Sequence, residues 1–432
     1  MMEVKSAWAA QPNIPDRLEL GRSGVAALAI RLGSVALAFL ASLIYARALG
    51  TNDFGRYAHV TAVVTVLSIP AALGLPQYLL KQAAGHPERI AQLRSWADRR
   101  SLPAGLAVSA LMCALAAVSD ETTRWLFVIA APIPLLTTRG SIRRALLQSL
   151  GLIAKSQFSL LLVAPAAALL VTSSLWVTQG HVEAWQLMLA TLAASLLPTA
   201  INNRQLLRYT PTNTESRPGT LPASTLAASI RFMWLGGMYL LISRLDLIML
   251  GTLSDPASAG MYAVATRAAD LVPLILITVN AVLAPRIAEL HRKGCHSQLQ
   301  NLITRSMRLV TITTFPLAVG LFIFSEVLLR FFYGDTYAAA SPVLRLLTLA
   351  QFILVLGGPL GTLLEMTGHE RASLRIMVWI VALNVVLNSA LIPIMHAEGA
   401  AISTCLSLIV GRILLWRAVR RTTLIRPTAF RL

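Results

Sequence analysis

Ile30-Arg31 … Leu49-Gly50-Thr51 … Gly55-Arg56-Tyr57-Ala58 returns about 200 residues later as Ile230-Arg231 … Leu250-Gly251-Thr252 … Gly260-Met261-Tyr262-Ala263. Each copy opens in a hydrophobic run that holds one arginine. The spacing between the pieces is nearly the same in both. The chain therefore reads as two copies of one unit. The Leu-Gly-Thr to Gly-x-Tyr-Ala part predicts a tight turn between the first two helices of each copy.

Composition says what kind of unit this is. Of 432 residues, 56% are hydrophobic and only 13% charged, and mean hydropathy is +0.67. A soluble domain with that balance lacks the polar surface to cover itself. Membrane-spanning helices, each needing ~20 mostly apolar residues, fit it. Hydrophobic runs give about twelve spans, at 24–46, 57–80, 102–119, 124–142, 157–177, 184–201, 226–250, 259–283, 307–329, 341–366, 372–394 and 398–416. The fold class expected is all-α and polytopic, in two pseudo-symmetric six-helix lobes. Residues 1–23 form a terminal segment, 24–202 the N-lobe, 203–222 a polar linker, 223–416 the C-lobe and 417–432 a basic tail. Met1 to Gly21 has no apolar core of its own and does not read as a cleaved signal peptide.

The net charge of +18 would suggest nucleic acid in a soluble protein. Here the bases cluster in alternate loops: Lys81, Arg89, Arg94, Arg99 and Arg100, then Arg143, Arg144 and Lys155, then Arg204, Arg208 and Arg217, then Arg292, Lys293 and Arg305, then Arg371 and the tail. The other loops are short and nearly free of base. Positive loops stay cytoplasmic, so both termini are expected inside and no nucleic-acid partner is implied. Six spans per half is an even number, so both halves enter the membrane in one direction. Such parallel repeats are a transporter signature. Cys113, Cys295 and Cys405 show no metal or redox spacing. There is no phosphate-binding loop, metal-ligand cluster or nucleophile-and-base pair, and no outer loop is long enough for a catalytic site such as a polysaccharide polymerase or ligase needs. The expectation is a secondary transporter, not an enzyme, without metal or organic cofactor.

Polar groups inside the spans are the candidate site. Arg31 and Arg231 lie about 7–10 Å below the inner surface at ~1.5 Å per residue. Each either snorkels to headgroups or, facing the other across the pseudo-twofold axis, shares an anion. Arg267 and Asp270 are three apart on the eighth span; Arg244 and Asp246 lie near the outer end of the seventh. Each pair is either a structural ion pair or a cavity arginine with an acid that takes a proton. Asp246, Asp270 and Glu365 are the candidates for coupling to a proton or sodium ion. Asn280, Asn384 and Asn388 either hold helices together or line a polar path. Pro70, Pro76, Pro165, Pro273, Pro285 and Pro359 interrupt spans and permit bends.

Several of these pieces, in this order, resemble one family across nearly the whole chain. They are Ala48-Leu49-Gly50, Asp53-Phe54-Gly55-Arg56-Tyr57, Asp246 … Leu250-Gly251 … Gly260-Met261-Tyr262, Asn280 … Pro285, Phe332-Tyr333-Gly334-Asp335-Thr336-Tyr337, and Asn384 … Asn388 … Pro393 … Glu398-Gly399-Ala400-Ala401. They resemble the polysaccharide-exporter branch, with its O-antigen flippases, of the multidrug/oligosaccharidyl-lipid/polysaccharide (MOP) superfamily. The resemblance implies alternating access in the bacterial inner membrane and an undecaprenyl-diphosphate-linked oligosaccharide as substrate, for O-antigen, capsule or exopolysaccharide. It implies a cationic cavity, here Arg31, Arg231 and Arg267, with membrane lipids, a polymerase and chain-length proteins as partners. A drug antiporter of the same superfamily would want an acidic cavity instead. Peptidoglycan-precursor flippases typically have two further spans.

Overall fold

The computed structural model describes residues 17–84, 86–209 and 223–423. No strand occurs among the described residues. Among the described residues ten helical stretches are long and apolar enough to cross a membrane, and two of them are hairpins. The helix Arg17–Ala72 breaks at Gly50, with φ 74°. Tyr45 and Tyr57 would stand ~18 Å apart on a straight helix, yet their ring centroids are 6.1 Å apart. The helix Glu370–Thr422 breaks at His396, with φ 48°. Asn388 and Thr404 both donate to the same Asp246 carboxylate, which only a folded-back helix allows. Twelve spans result, as expected.

In order, spans 1 and 2 are the arms 17–49 and 51–72, and span 3 is Ile90–Ala117. Span 4 is Glu121–Ala130 with Ile133–Ser149. Span 5 runs from Ile153 to Gln179 through a π-helical turn at Ser159–Val163. Span 6 is Ala184–Tyr209 and span 7 Ala223–Leu253. Span 8 is Pro256–Ala269 with Leu274–Arg292, and span 9 is His296–Ile323. Span 10 is Ser341–Leu356 with Leu360–Met366. Spans 11 and 12 are the arms 370–395 and 397–422.

The helices outrun the apolar segments that revealed them. Residues 203–209, assigned to the linker on composition, continue span 6. Arg208 stands in that helix's last turn, where a cation favours the helix dipole. Span 9 ends at Ile323, and the following Ser325–Tyr333 is a separate short helix. The rest of the polar linker lies outside the described residues.

Proline breaks fall in matching spans of the two halves. Span 2 ends at Leu73 and Gly74, both at positive φ, just before Pro76. Span 8 is interrupted at 270–273 before Leu274, with Pro273 as its cap residue. Span 4 is interrupted at Ala131-Pro132 and span 10 at Gly357-Gly358-Pro359. The turn between spans 7 and 8 comes three residues later than in the first half, because Asp255 caps span 8 by accepting from the Ser258 N–H at 2.8 Å. Burial alone would raise the Asp255 carboxyl, but the Ser258 N–H and hydroxyl more than offset it. It therefore stays below the usual carboxylate range.

The face that holds both described chain ends also carries the Lys/Arg-rich turns and is called the basic face; the opposite one is distal. Distal to the midplane the two lobes share one apolar core, in which Leu49, Phe54 and Val60 meet Leu250, Val264 and Leu344. Towards the basic face that core divides. Ile90, Leu146 and Leu206 fill the N-lobe, and Ile287, Ile303 and Leu363 fill the C-lobe.

The repeated glycines make the distal contact. A Cβ on Gly55 would overlap the Pro256 carbonyl, and one on Gly260 would overlap the Thr51 carbonyl. The motif is thus more than a turn: it is where spans 2 and 8 cross with backbones in contact. Tyr333 adds a hydrogen bond to Ser42 at 3.0 Å. The Tyr337 hydroxyl donates to the Ala46 carbonyl at 3.2 Å, and Arg47 donates to the Phe331 carbonyl at 2.6 Å. On the basic side, span 7 still leans on span 2, where Ser229 donates to the Leu73 carbonyl. The arm Leu274–Arg292 packs on its own lobe. The lobes are closed distally and part between span 1 and the second arm of span 8.

Candidate functional site

Arg244 and Asp246 are two residues apart on span 7. At ~100° per residue such a pair points to opposite sides of a helix and cannot form an ion pair. Asp246 turns into the C-lobe, where it is buried. Tyr262 and Thr404 donate to its Oδ2, each at 2.7 Å. Asn388 Nδ2 donates to its Oδ1 at 2.7 Å and also to Asn384 Oδ1 at 3.0 Å. A cavity of about 250 Å³ adjoins this network and includes Gln351 and Ser407. No Lys or Arg among the described residues lies within ion-pair distance of Asp246.

Arg244 borders that cavity and also lines a second one of about 340 Å³ between the lobes. Ala38, Ser42 and Tyr45 of span 1, Tyr57 and Thr61 of span 2, and Thr191 of span 6 form its N-lobe walls. Arg267 and Asp270 enter from span 8, at the break where the helix ends with Asp270 as its cap residue. Arg244, Arg267 and Asp270 are within electrostatic range of one another. Neither arginine forms an ion pair or a side-chain hydrogen bond among the described residues, and Arg244 Nε is buried without a partner. Two cations thus face one acid across a cavity at a mid-membrane helix break. Interrupted helices of this kind are where membrane transporters place ligands.

A second chamber of about 390 Å³ continues the first towards the basic side. Thr61, Ile133, Thr137 and Thr191 line both. Its walls come from spans 2, 4 and 6 and from span 7 at Phe232, Met233, Gly236, Gly237 and Leu240.

The structure distributes the other sequence candidates as follows. Arg31 is exposed on span 1, about two turns nearer the basic face than Ala38, the first cavity-lining residue. The Arg231 side chain lies outside the described residues, so the facing of the two arginines does too. Arg267 has Arg244 as its companion in the cavity, a pairing that the repeat did not reveal. Glu365 accepts from the Tyr239 hydroxyl at 2.8 Å, away from the inter-lobe cavity. Asn280 Oδ1 is buried without a partner among the described residues. Asn384 and Asn388 do share a face, and what they support is Asp246. The Thr404 and Tyr262 contributions were missed; Tyr262 stood in the repeat but carried no sign of its partner.

Residues 44–342 match the family described as polysaccharide biosynthesis protein, more than half of the chain. The chain belongs to that family. It is 23% identical over 420 residues to a probable low-salt glycan biosynthesis flippase, Agl15 of Haloferax volcanii, covering 92% of this chain and 83% of the relative. Its fold is similar to an inward-facing multidrug resistance MATE transporter of the MOP superfamily, with TM-score 0.74 and 13% identity over 90% of this chain and 96% of that one. It is also similar to the lipid II flippase MurJ in an inward closed conformation, with TM-score 0.66 and 14% identity over 92% and 87% of the two chains. The fold is thus the one that MOP-superfamily transporters share, and the Haloferax relative is described as a probable flippase.

Proposed function

We propose that the protein is a flippase for a polyprenyl-diphosphate-linked oligosaccharide, working by alternating access between two faces of the bacterial inner membrane. The observation that carries the reading is the pair Arg244 and Arg267 in the inter-lobe cavity, two cations with a single acid, Asp270, in electrostatic range and no ion pair or side-chain hydrogen bond among the described residues. A buried cation is costly until an anion meets it, and guanidinium suits phosphate oxygens. The diphosphate sits at this pair, and the polyprenyl chain stays in the bilayer through the parting between span 1 and the second arm of span 8. The positive-inside rule makes the basic face cytoplasmic. The closed distal side then corresponds to the state that receives substrate from within.

Asp246 is the coupling carboxylate in this reading. Its donors are neutral, so a proton or sodium ion is what balances its charge. A polymerase and chain-length proteins would act downstream, in O-antigen, capsule or exopolysaccharide assembly.

The test is deletion of the gene, complemented by wild type or by Arg244→Ala with Arg267→Ala. The double variant should insert normally, fail to restore surface glycan, and leave lipid-linked repeat units on the cytoplasmic leaflet. Normal surface glycan in the double variant refutes the cavity role. Unchanged glycan in the deletion strain, with altered drug susceptibility, would instead make the protein a drug antiporter.

A further inference from the structure

Tyr239, Ser243 and Asp246 are spaced i, i+4, i+7 on span 7 and so share one face. All three border the cavity of about 250 Å³ in the C-lobe. Two helical turns, about 10 Å at ~1.5 Å per residue, separate Tyr239 from Asp246. Thr266, Gln351, Thr404 and Ser407 add polar groups to the walls from spans 8, 10 and 12. A water molecule takes ~30 Å³ of liquid, so this polar space has room for several. Ser243 donates to the Leu240 carbonyl at 2.8 Å, which leaves its lone pairs for such waters.

Asp246 is closed off on the distal side. There Leu250, Tyr262 and Ala401 are buried in the core that the lobes share. An ion leaving Asp246 in this state therefore moves towards the basic face, and Tyr239 stands at that end of the cavity. Its hydroxyl donates to Glu365 Oε1 at 2.8 Å.

Glu365 lies in the last turn of Leu360–Met366, and the turn into span 11 at the basic face follows it. Ser373 Oγ donates to the same oxygen at 3.5 Å. Glu365 thus has two hydroxyl donors and no ion pair among the described residues. A tie between spans 7, 10 and 11 needs no carboxylate, since an amide or a hydroxyl would hold the same donors. An unpaired carboxylate in a span is costlier than either, and what it adds is a base for a proton. The charged groups around the pair are accounted for. Arg412 of span 12 is in electrostatic range of Tyr239 and donates to the Gly358 carbonyl at 3.3 Å, at the break in span 10. His369, in the turn, has Nδ1 at 3.2 Å from Thr367 Oγ1. Arg244 and Asp270 are the other charged residues at the cavity among the described residues.

We infer that Tyr239 and Glu365 relay the coupling proton between the Asp246 cavity and the basic face, so that it passes through a hydroxyl and not through an open water channel. The inference rests on the reading of Asp246 as the coupling carboxylate. Protonated Asp246 breaks its O–H bond in favour of a cavity water. The excess proton bonds to the Tyr239 oxygen as the Tyr239 hydroxyl proton passes to Glu365 Oε1. Asp246 ends ionised, Tyr239 unchanged and Glu365 protonated, and Glu365 releases its proton to water at the basic face. A sodium ion cannot take this route, because a hydroxyl relays protons only.

The experiment uses the purified full chain in nanodiscs, with a proton pulse from a photolysed caged acid as the probe. Infrared difference spectra follow the carboxylic-acid band that disappears in Asp246→Asn. Tyr239→Phe and Glu365→Gln should each slow the rise of that band about 100-fold, the low end of what a positioned proton-transfer group contributes. The pH midpoint of the band should stay as in wild type, which a purely structural tie would not predict. Glu365→Asp should keep most of the rate. Tyr239→His, whose ring can also carry a proton, should recover part of it and covers the case in which the phenylalanine variant does not fold. A wild-type rate in Tyr239→Phe or in Glu365→Gln overturns the relay, because water would then reach Asp246 directly. A displaced midpoint without slowing overturns it too, since the pair would then only hold the helices. Both results leave Asp246 as a proton acceptor. If no wild-type band is lost in Asp246→Asn, Asp246 takes no proton, and the coupling reading falls together with the relay.

Discussion

Gly55→Ala puts a methyl group where the lobes touch. Its Cβ would overlap the Pro256 carbonyl oxygen and would lie 2.7 Å from the Pro256 carbonyl carbon and 2.8 Å from the Gly260 nitrogen. Ordinary contact starts at 3.4 Å, so even the carbon overlap needs a separation of about 0.7 Å (3.4 less 2.7). Both obstacles are helix backbone, which cannot step aside as a side chain can. Overpacking of this kind costs about 1–3 kcal/mol. The cost falls on the distally closed state alone, because the open state separates the two glycines. The equilibrium should therefore move about 5- to 150-fold towards distal opening. Position 42 reports on it, since Ser42 is 5% exposed at the same seal. Ser42→Cys, in a chain with Cys113, Cys295 and Cys405 replaced, should be shielded from a membrane-impermeant maleimide on the distal side. Adding Gly55→Ala should raise the labelling rate by that factor, with the protein still monodisperse and helical. Gly260→Ala should act on the same contact, so the two together should fall short of additive. A folded Gly55→Ala protein whose introduced thiol at position 42 labels no faster than in the parent would show that the glycine crossing is not the gate.

Three further outcomes follow from buried charge and capping. Asp98→Ala strands Arg143, which is 7% exposed, and should cost up to about 3 kcal/mol, the low end for a broken buried pair because Asp98 keeps some water. Adding Arg143→Met should recover most of the lost thermal stability. Asp246→Asn should leave pyrophosphate binding intact but abolish the response of transport in proteoliposomes to an imposed proton or sodium gradient; a surviving response would move coupling to Asp270 or Glu365. Asp255→Ala should lower stability by about 1 kcal/mol through the lost cap. Because the Asp255 pKa is depressed in the folded state, its contribution is full above the unfolded value near ~4 and fades as pH falls through the folded one. The mutant and wild-type melting temperatures should therefore converge only in strong acid.

The twelve spans and the pseudo-symmetric halves were legible because the bilayer demands long apolar helices and little else. What hydropathy could not show is where a helix ends once it leaves the hydrocarbon, hence the late ends of spans 6 and 8 and the separate helix at Ser325–Tyr333. The site was legible by residue type but not by direction. Two facts available in the sequence would have helped. Arg244 and Asp246, at i and i+2, cannot pair, so one of them had to face elsewhere. Thr137, Ser141 and Arg144 form a polar stripe at helical spacing within an apolar span. The repeat drew attention to Arg31 and Arg231, at matched positions in the duplicated unit, but a symmetric scaffold need not have a symmetric site. Gly55 and Gly260 show what the symmetry does preserve, since each is the other's neighbour across the axis and neither can change alone. Arg267 has no arginine at the matching point of the first half; span 2 offers Thr61, Thr65 and Ser68 in the same region of the cavity. A carrier of an amphipathic anion gains from that asymmetry. In the proposed reading the C-lobe holds the charge and the N-lobe the sugar, so lobe rocking acts on both ends of one ligand, and a substrate lacking either end should close the lobes less completely.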